Sequence, residues 1–352
     1  MENQQRLAAM AEPLLAWYDI HKRSLPWRGT RDPYRVWVSE IMLQQTRVAA
    51  VVPYYQRWME ALPTVESLAA VDDETLMKLW QGMGYYSRAR NLKRAAQIIA
   101  LDRGGRFPED RDGLLALPGV GRYTAGAVAS IAFGQPVPAV DGNVLRVAAR
   151  VANVGENILD PKVKKNFETW MESATPTDRP GEFNQALMDL GATVCLPGGA
   201  PDCGACPLSP LCQAHRLGLE GALPVRSRRG ERRLEEMTVY LLARNGRVAM
   251  RKREPEGLLA GLWEFPHVPG ALEEARAGDP LAQWGLAALE WRERLTARHL
   301  FTHVEWRMTG YVLTVKGEGA GLTWVDGPQL EQLAVPSAFS RFLAAAKDIL
   351  KN

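Results

Sequence analysis

Between Pro224 and Glu236 the chain reads PVRSRRGERRLEE, a charged stretch almost without apolar anchors, and the hydrophobic rhythm differs on its two sides. From Leu7 to about Leu219 apolar residues recur at three- and four-residue steps, as in ETLMKLWQGMGYYSRARNLKRAAQIIA and GEFNQALMDLGATVC, with Gly and Pro between segments. That is helical spacing, and no run of β-branched strands interrupts it. Beyond the charged stretch, MTVYLLARNGRVAMRKRE reads as two strands joined by Asn245-Gly246, the strongest short hairpin signal. RHLFTHVEWRMTGYVLTVKG reads as a second strand pair, and SAFSRFLAAAKDIL as a closing helix. At 352 residues the chain also exceeds the size at which a single core stops growing. The expected fold is therefore mainly α: an all-helical domain over residues 1–223, a linker over 224–236 and a smaller α+β domain over 237–352.

With 46% hydrophobic and 24% charged residues the composition is that of a soluble globular protein. No apolar run approaches the roughly 20 residues of a membrane span. The start MENQQRLAAMAEPLLAWYD has neither a basic region nor a small-residue cleavage site, so the expected location is the cytoplasm, away from any membrane. A net charge of +3 permits a nucleic-acid partner without requiring one.

All four cysteines, Cys195, Cys203, Cys206 and Cys212, fall in CLPGGAPDCGACPLSPLC. In a reducing compartment such clustering points to a metal site more than to disulfides. The spacing C-x7-C-x2-C-x5-C holds only one close pair, where structural zinc sites show two, and four thiolates also suit a [4Fe-4S] cluster. Spacing alone leaves iron-sulfur and zinc equally open, with free thiols a distant third.

ALPGVGRYTAGAVAS, from Ala116, sets a Gly-x-Gly turn between two helical segments. Its glycines let the backbone approach a ligand, and the amides that follow at a helix start suit an anion; the plainer reading is a tight helix turn. Asp141, in VPAVDGNVLRVAAR, stands just before a helix. It reads as an N-cap, and a helix N-terminus is expected to keep it ionised, as a group stabilising a cation must be. Glu40 interrupts the apolar run YRVWVSEIMLQQT. Either it lies on an exposed stripe, or it is part-buried with a raised pKa. An ordinary Glu is protonated about once in 500 at pH 7, one raised to ~6 roughly a tenth of the time, which makes it a usable general acid.

The hairpin, an Asp about twenty residues after it and the four-cysteine loop resemble the endonuclease III superfamily of DNA glycosylases. Within it, LPWR, VSEIMLQQT, GMGYYSRARNL, LPGVGRYTAGA, VDGNVLR and FNQALMDLGATVC are together similar to the MutY-type adenine DNA glycosylases, over about Leu7 to Leu350. The resemblance implies a helix-hairpin-helix glycosylase domain with an iron-sulfur loop and a C-terminal Nudix-like domain. It also resolves the metal question in favour of a [4Fe-4S] cluster on Cys195, Cys203, Cys206 and Cys212, although this chain has one residue more between the first two cysteines than the family usually carries.

The implied reaction is excision of adenine mispaired with 8-oxoguanine or guanine in double-stranded DNA, by a monomer that flips the adenosine out of the duplex. By match of motif Glu40 protonates adenine N7 and later activates water, while Asp141 stabilises the oxocarbenium-like sugar by charge or by a transient covalent bond. Asn143 orients the sugar and the acid. Trp27, Arg28, Leu43 and Gln185 line the adenine pocket. Gln44 and Gln45 form the polar wedge and Tyr85 the intercalating aromatic. Arg88, Arg90, Arg122 and the backbone from Gly119 through Val120 and Gly121 to Tyr123 hold phosphates. Position 123 is a lysine nucleophile in bifunctional relatives and Tyr123 here, so strand cleavage should be weak. Phe301, Thr302 and His303 match the family's lesion-sensing turn, with Thr in place of Ser. The C-terminal domain lacks the G-x5-E-x7-R-E-x2-E-E motif of nucleotide-hydrolysing Nudix enzymes. Two rivals remain: an endonuclease III-like glycosylase/lyase, opposed by Tyr123 and the extra domain, and a non-catalytic iron-sulfur DNA-binding protein, opposed by Glu40 and Asp141.

Overall fold

The structure is a computed structural model that describes residues 2–198, 201–227 and 232–351. It divides into two compact units, residues 1–70 with 90–228 and residues 71–89 with 229–352. The first unit contains no strand among its described residues.

Helix α1 (Pro33–Leu43) starts where Asp32 accepts the Tyr34 amide at 2.9 Å and Pro33 fills the first turn. It buries Val36, Trp37, Val38, Ile41 and Met42. Helix α2 (Asp73–Trp80) belongs to the second unit, and α3 (Ser87–Gln97) follows it. Helix α4 (Arg122–Phe133) is entered through Gly119, at φ +77, where a Cβ would lie 2.6 Å from that of Asn91; only glycine meets both demands. Helices α5 (Gly142–Ala152) and α6 (Pro180–Thr193) pack together through Val144, Val147, Val151, Phe183, Leu187 and Leu190.

The second unit is a seven-stranded mixed sheet in the order β3-β2-β1-β6-β5, with β4 beside β1 and β7 beside β2. The strands are β1 (Arg233–Arg244), β2 (Arg247–Lys252), β3 (Trp263–Glu264), β4 (His267–Pro269), β5 (Leu286–Leu300), β6 (Val304–Gly317) and β7 (Thr323–Val325). Both expected strand pairs form. Asn245 (φ 48) and Gly246 (φ 68) make the left-handed two-residue turn between β1 and β2. The central contact is the parallel pairing of β1 with β6, from Arg233↔Val304 to Ala243↔Thr314. Helix α7 (Ser340–Lys351) covers one face through Phe342 and Ala346 over Val239, Trp306 and Met308. Tyr240, Leu242, Tyr311 and Leu313 form a second core on the other face.

Two boundaries differ from the sequence reading. Strand β1 begins at Arg233, inside the stretch 224–236, of which 228–231 lie outside the described residues. Residues 71–89 are helical yet group with the sheet, because Gln81 Nε2 donates to the Val335 carbonyl at 2.8 Å and Lys78 Nζ to that of Leu333 at 3.3 Å. Among the described residues no helix is long and apolar enough to cross a membrane.

Candidate active site

Near the C-terminal end of α1, Glu40 is only 4% exposed. Burial pushes its carboxyl pKa up, against the opposing pull of a 2.5 Å hydrogen bond donated by the Tyr123 hydroxyl and of the Arg28 charge; Asp141 pushes it further up. The same burial, with Glu40 beside it, raises Tyr123 well above the usual phenol range, so Tyr123 remains a donor. Tyr123 stands in the first turn of α4, which is how the Gly-x-Gly turn delivers it to the acid.

Asp141 caps α5, accepting the Asn143 and Val144 amides at 2.8 Å each and the Asn143 side-chain amide at 2.8 Å. The amide donors favour its ionised form, as expected of a helix start, while burial opposes them and outweighs them, so the net shift is upward from the usual aspartate value. In this cleft the loss of hydration outweighs what the donors return.

Glu40, Tyr123, Asp141 and Asn143 line one cleft of about 490 Å³, together with Trp27, Arg28, Leu43, Gln44, Gln45 and Met188. A volume of this size admits a nucleoside. Gln185 is the pocket residue the structure places elsewhere. It accepts a 2.6 Å hydrogen bond from Tyr18 and lines a neighbouring cleft of about 510 Å³. Gln44 donates to the Thr124 hydroxyl at 3.2 Å, and Gln45 takes a left-handed φ of 58.

The phosphate-binding expectations divide. Gly121 caps α4 and is exposed, and Arg122 is exposed with an ion pair to Glu168 at 3.2 Å. The amides that open α4 lack intrahelical partners by construction, whereas that of Val120 donates to Leu117 at 3.2 Å. Arg90 is part-buried on α3. Arg88 is a correction: its guanidinium is buried, donates to the Met83 and Gly84 carbonyls at 2.9 and 3.1 Å and stacks over Trp80, with its pKa lowered by burial to about 10. It builds the loop that carries Tyr85.

In the second unit Tyr85 is exposed, at a left-handed φ of 47, and its hydroxyl shares a 2.6 Å hydrogen bond with that of Thr302. Thr302 and His303 are exposed at the tip of the β5–β6 hairpin. Phe301 closes the turn through its amide to Val304 at 2.8 Å and packs edge-on against Trp306.

Cys195, Cys203, Cys206 and Cys212 face one small cavity walled by Val147, Val151, Leu190, Val194 and Leu208. Burial pushes the Cys206 thiol up to about 11 and raises Cys203 and Cys212. Four sulfurs in an apolar wall fit a cationic centre that would draw off their protons. Cys203 also lies with His215 and Glu220 in a group whose ligand atoms are within 4.8 Å of one another. Residues 199–200 of the lengthened first interval lie outside the described residues.

A family model described as HhH-GPD superfamily base excision DNA repair protein matches residues 38–173, and a NUDIX domain model matches residues 237–345. The adenine DNA glycosylase of Rattus norvegicus is 35% identical over 399 residues, spanning 95% of this chain and 77% of that protein. The chain belongs to the adenine DNA glycosylase family. The Homo sapiens adenine DNA glycosylase is 35% identical over 401 residues, 95% of this chain and 73% of its own. Among solved structures, a thermostable thymine-DNA glycosylase superposes with a TM-score of 0.55 at 31% identity, covering 60% of this chain and 98% of that one. A non-covalent endonuclease III-DNA complex gives 0.53 at 27% identity, covering 62% and 99%.

For an adenine DNA glycosylase family member, two residues that the sequence reading passed over stand out. Arg146 and Arg150 are 4% and 2% exposed on α5. Arg146 Nη2 donates to Asn143 Oδ1 at 2.9 Å and to the Gly191 carbonyl at 2.6 Å, while its Nε reaches the Cys195 carbonyl at 2.8 Å. Arg150 donates to the Cys195 sulfur at 3.2 Å and the Leu196 carbonyl at 2.9 Å. Their signal was present: two arginines four apart in the otherwise apolar VLRVAARVA.

Proposed function

We propose that this protein removes adenine mispaired with 8-oxoguanine or guanine in double-stranded DNA by hydrolysing the N-glycosidic bond of a flipped adenosine, without cutting the strand. The observation that carries the reading is a buried carboxyl, Glu40, held by a phenol in the same cleft as a second acid, Asp141. In the proposed reaction the Glu40 proton passes to adenine N7. The C1′–N9 electron pair leaves with the base, and the sugar becomes an oxocarbenium-like cation. The Asp141 carboxylate, held in place by Asn143, faces that cation and stabilises it. Water then adds to C1′ and gives its proton back to Glu40, so one water is consumed and an abasic site and free adenine are formed. Trp27, Arg28 and Leu43 shape the base pocket. Tyr123 supplies no amine at the position where bifunctional relatives attack the sugar, so no Schiff base links enzyme to DNA.

Gln44 and Gln45 fill the space the adenosine leaves. In the second unit, Tyr85 is the intercalating aromatic and Phe301, Thr302 and His303 read the opposite base. Gly119, Gly121, Arg122 and Arg90 support the phosphates. Cys195, Cys203, Cys206 and Cys212 would hold a [4Fe-4S] cluster, which supplies iron-thiolate bonds that close the loop. The test is single-turnover base release from duplexes carrying A:8-oxoguanine, A:G or an oxidised pyrimidine, with iron counted in the anaerobically purified protein. Adenine release without nicking and about four irons per chain are expected. Release only at the oxidised pyrimidine, or one zinc per chain, would overturn the respective assignment.

A further inference from the structure

On α6, Asp189 is fully buried and plays no part in the steps above. Its Oδ1 accepts from Arg23 Nε and Nη2 at 2.9 and 2.6 Å and from Arg28 Nη2 at 2.9 Å; its Oδ2 accepts the Arg23 amide at 3.2 Å. Both arginines line the cleft that holds Glu40. Arg28 is gripped at its other nitrogen by the Tyr18 hydroxyl at 3.0 Å, and Tyr18 by Gln185. The Nε of Arg28 is buried without a hydrogen-bond partner among the described residues, so its guanidinium is pinned at both ends by protein and left unsatisfied along one edge. A carboxylate removed from water is retained only where its pairing is nearly complete. This one spends all of its pairing on two cleft residues.

We propose that Asp189 is a positioning residue for base excision, fixing Arg23 and Arg28 at the cleft wall and cancelling part of their charge, and so setting how firmly Glu40 keeps the proton it delivers. The inference rests on the acid role given to Glu40. The charged and titratable groups around Glu40 are Tyr123 from α4, Asp141 from the head of α5, and Arg28 and Arg23 from the segment before α1. Those around Asp189 are Arg23, Arg28 and Tyr18. Arg28 favours the ionised form of Glu40. Removing the negative charge of Asp189 leaves both arginines uncompensated, which favours ionised Glu40 and lowers its pKa. Removing the positive charge of Arg23 does the reverse. A unit charge roughly 10 Å from a carboxyl, through an effective dielectric near 20, moves its pKa by on the order of one unit.

The experiment measures single-turnover adenine release against pH for the full-length wild type, Asp189→Asn, Arg23→Gln and Glu40→Gln, with melting temperatures alongside. The falling limb should move to lower pH in Asp189→Asn and to higher pH in Arg23→Gln, by about half a unit or more each, and vanish in Glu40→Gln. A purely structural ion pair would lower the melting temperatures of the first two and leave the limb where it is, which would overturn the proposal. Arg23 is more exposed than Asp189, so Arg23→Gln keeps the test alive if Asp189→Asn does not fold. If the wild type releases no adenine, the proposed function itself falls; if it does and both limbs stay unmoved, this inference alone falls.

Discussion

Glu40 is buried and accepts a hydrogen bond from Tyr123 before any substrate arrives, whereas Thr302 and His303 stand exposed at a hairpin tip and the Thr302 hydroxyl shares a hydrogen bond with that of Tyr85, which is also exposed. The contrast follows from the two tasks. An acid must be desolvated in advance to hold a proton at neutral pH, and its surroundings are fixed by packing. A reader of a base edge must meet water until the base replaces it, so its net contribution is the small difference between two hydrogen bonds. Substitutions in the cleft should therefore cost rate, and those in the turn should cost discrimination.

The sharpest attack on that contrast is in the cleft. Glu40→Gln cannot deliver a proton and Asp141→Asn removes the charge facing the cation. Each should slow single-turnover excision by ~100-fold or more while lesion-duplex binding holds. Stability should move the other way for Glu40→Gln. A carboxyl whose folded pKa lies above its ordinary value stabilises the fold at low pH and loses that contribution as pH rises through the folded pKa. The variant should thus melt no lower than wild type at pH 8, and a marked loss of stability there would show that Glu40 is held for structure. Next in size, a protein ending near Arg226 should keep slow excision and lose most of its preference for A:8-oxoguanine over A:G. Undiminished preference would move the reading of the lesion into the helical unit.

Tyr123→Lys tests whether the cleft could host an amine: borohydride trapping on an A:8-oxoguanine duplex should rise above a wild-type level near zero, provided burial lowers the lysine pKa. Wild type that traps and nicks as well as the variant would contradict monofunctional chemistry. The smallest effect belongs to Thr302→Ala, which removes one neutral hydrogen-bonding group and should reduce discrimination by at most about tenfold. Changing His303 to Ala as well should reduce it further. A loss of a hundredfold from Thr302→Ala alone would mean that the turn, like the cleft, is organised before DNA binds.

Much of this architecture could be read before any coordinates, for reasons the residues make plain. Strands and helices differ in period, so the change of texture near Pro224 and the Asn245-Gly246 turn were visible in order. The neighbours Val36, Trp37, Ile41 and Met42 made burial one of two readings for Glu40, and the fold decides for it. What stayed hidden depends on distance in the chain. The parallel β1–β6 pairing joins segments some seventy residues apart, and the grouping of 71–89 with the sheet rests on Lys78 and Gln81 meeting carbonyls near 333–335. An arginine in GYYSRAR looks alike whether it faces a phosphate or the carbonyls of Met83 and Gly84, so Arg88 was misread. Asp141 was placed correctly at a helix start, but the balance between its amides and its burial is a property of the folded cleft.

The central claim, that Glu40 is the buried acid of an adenine glycosylase, is met most directly by the pH dependence of single-turnover adenine release from an A:8-oxoguanine duplex, wild type against Glu40→Gln. Because the carboxyl pKa is raised, the wild-type rate should hold at a plateau at low pH and fall about tenfold per unit above that pKa, while the residual rate of the variant shows no such limb. A wild-type profile that stays flat, or a variant that keeps the same limb, would contradict it.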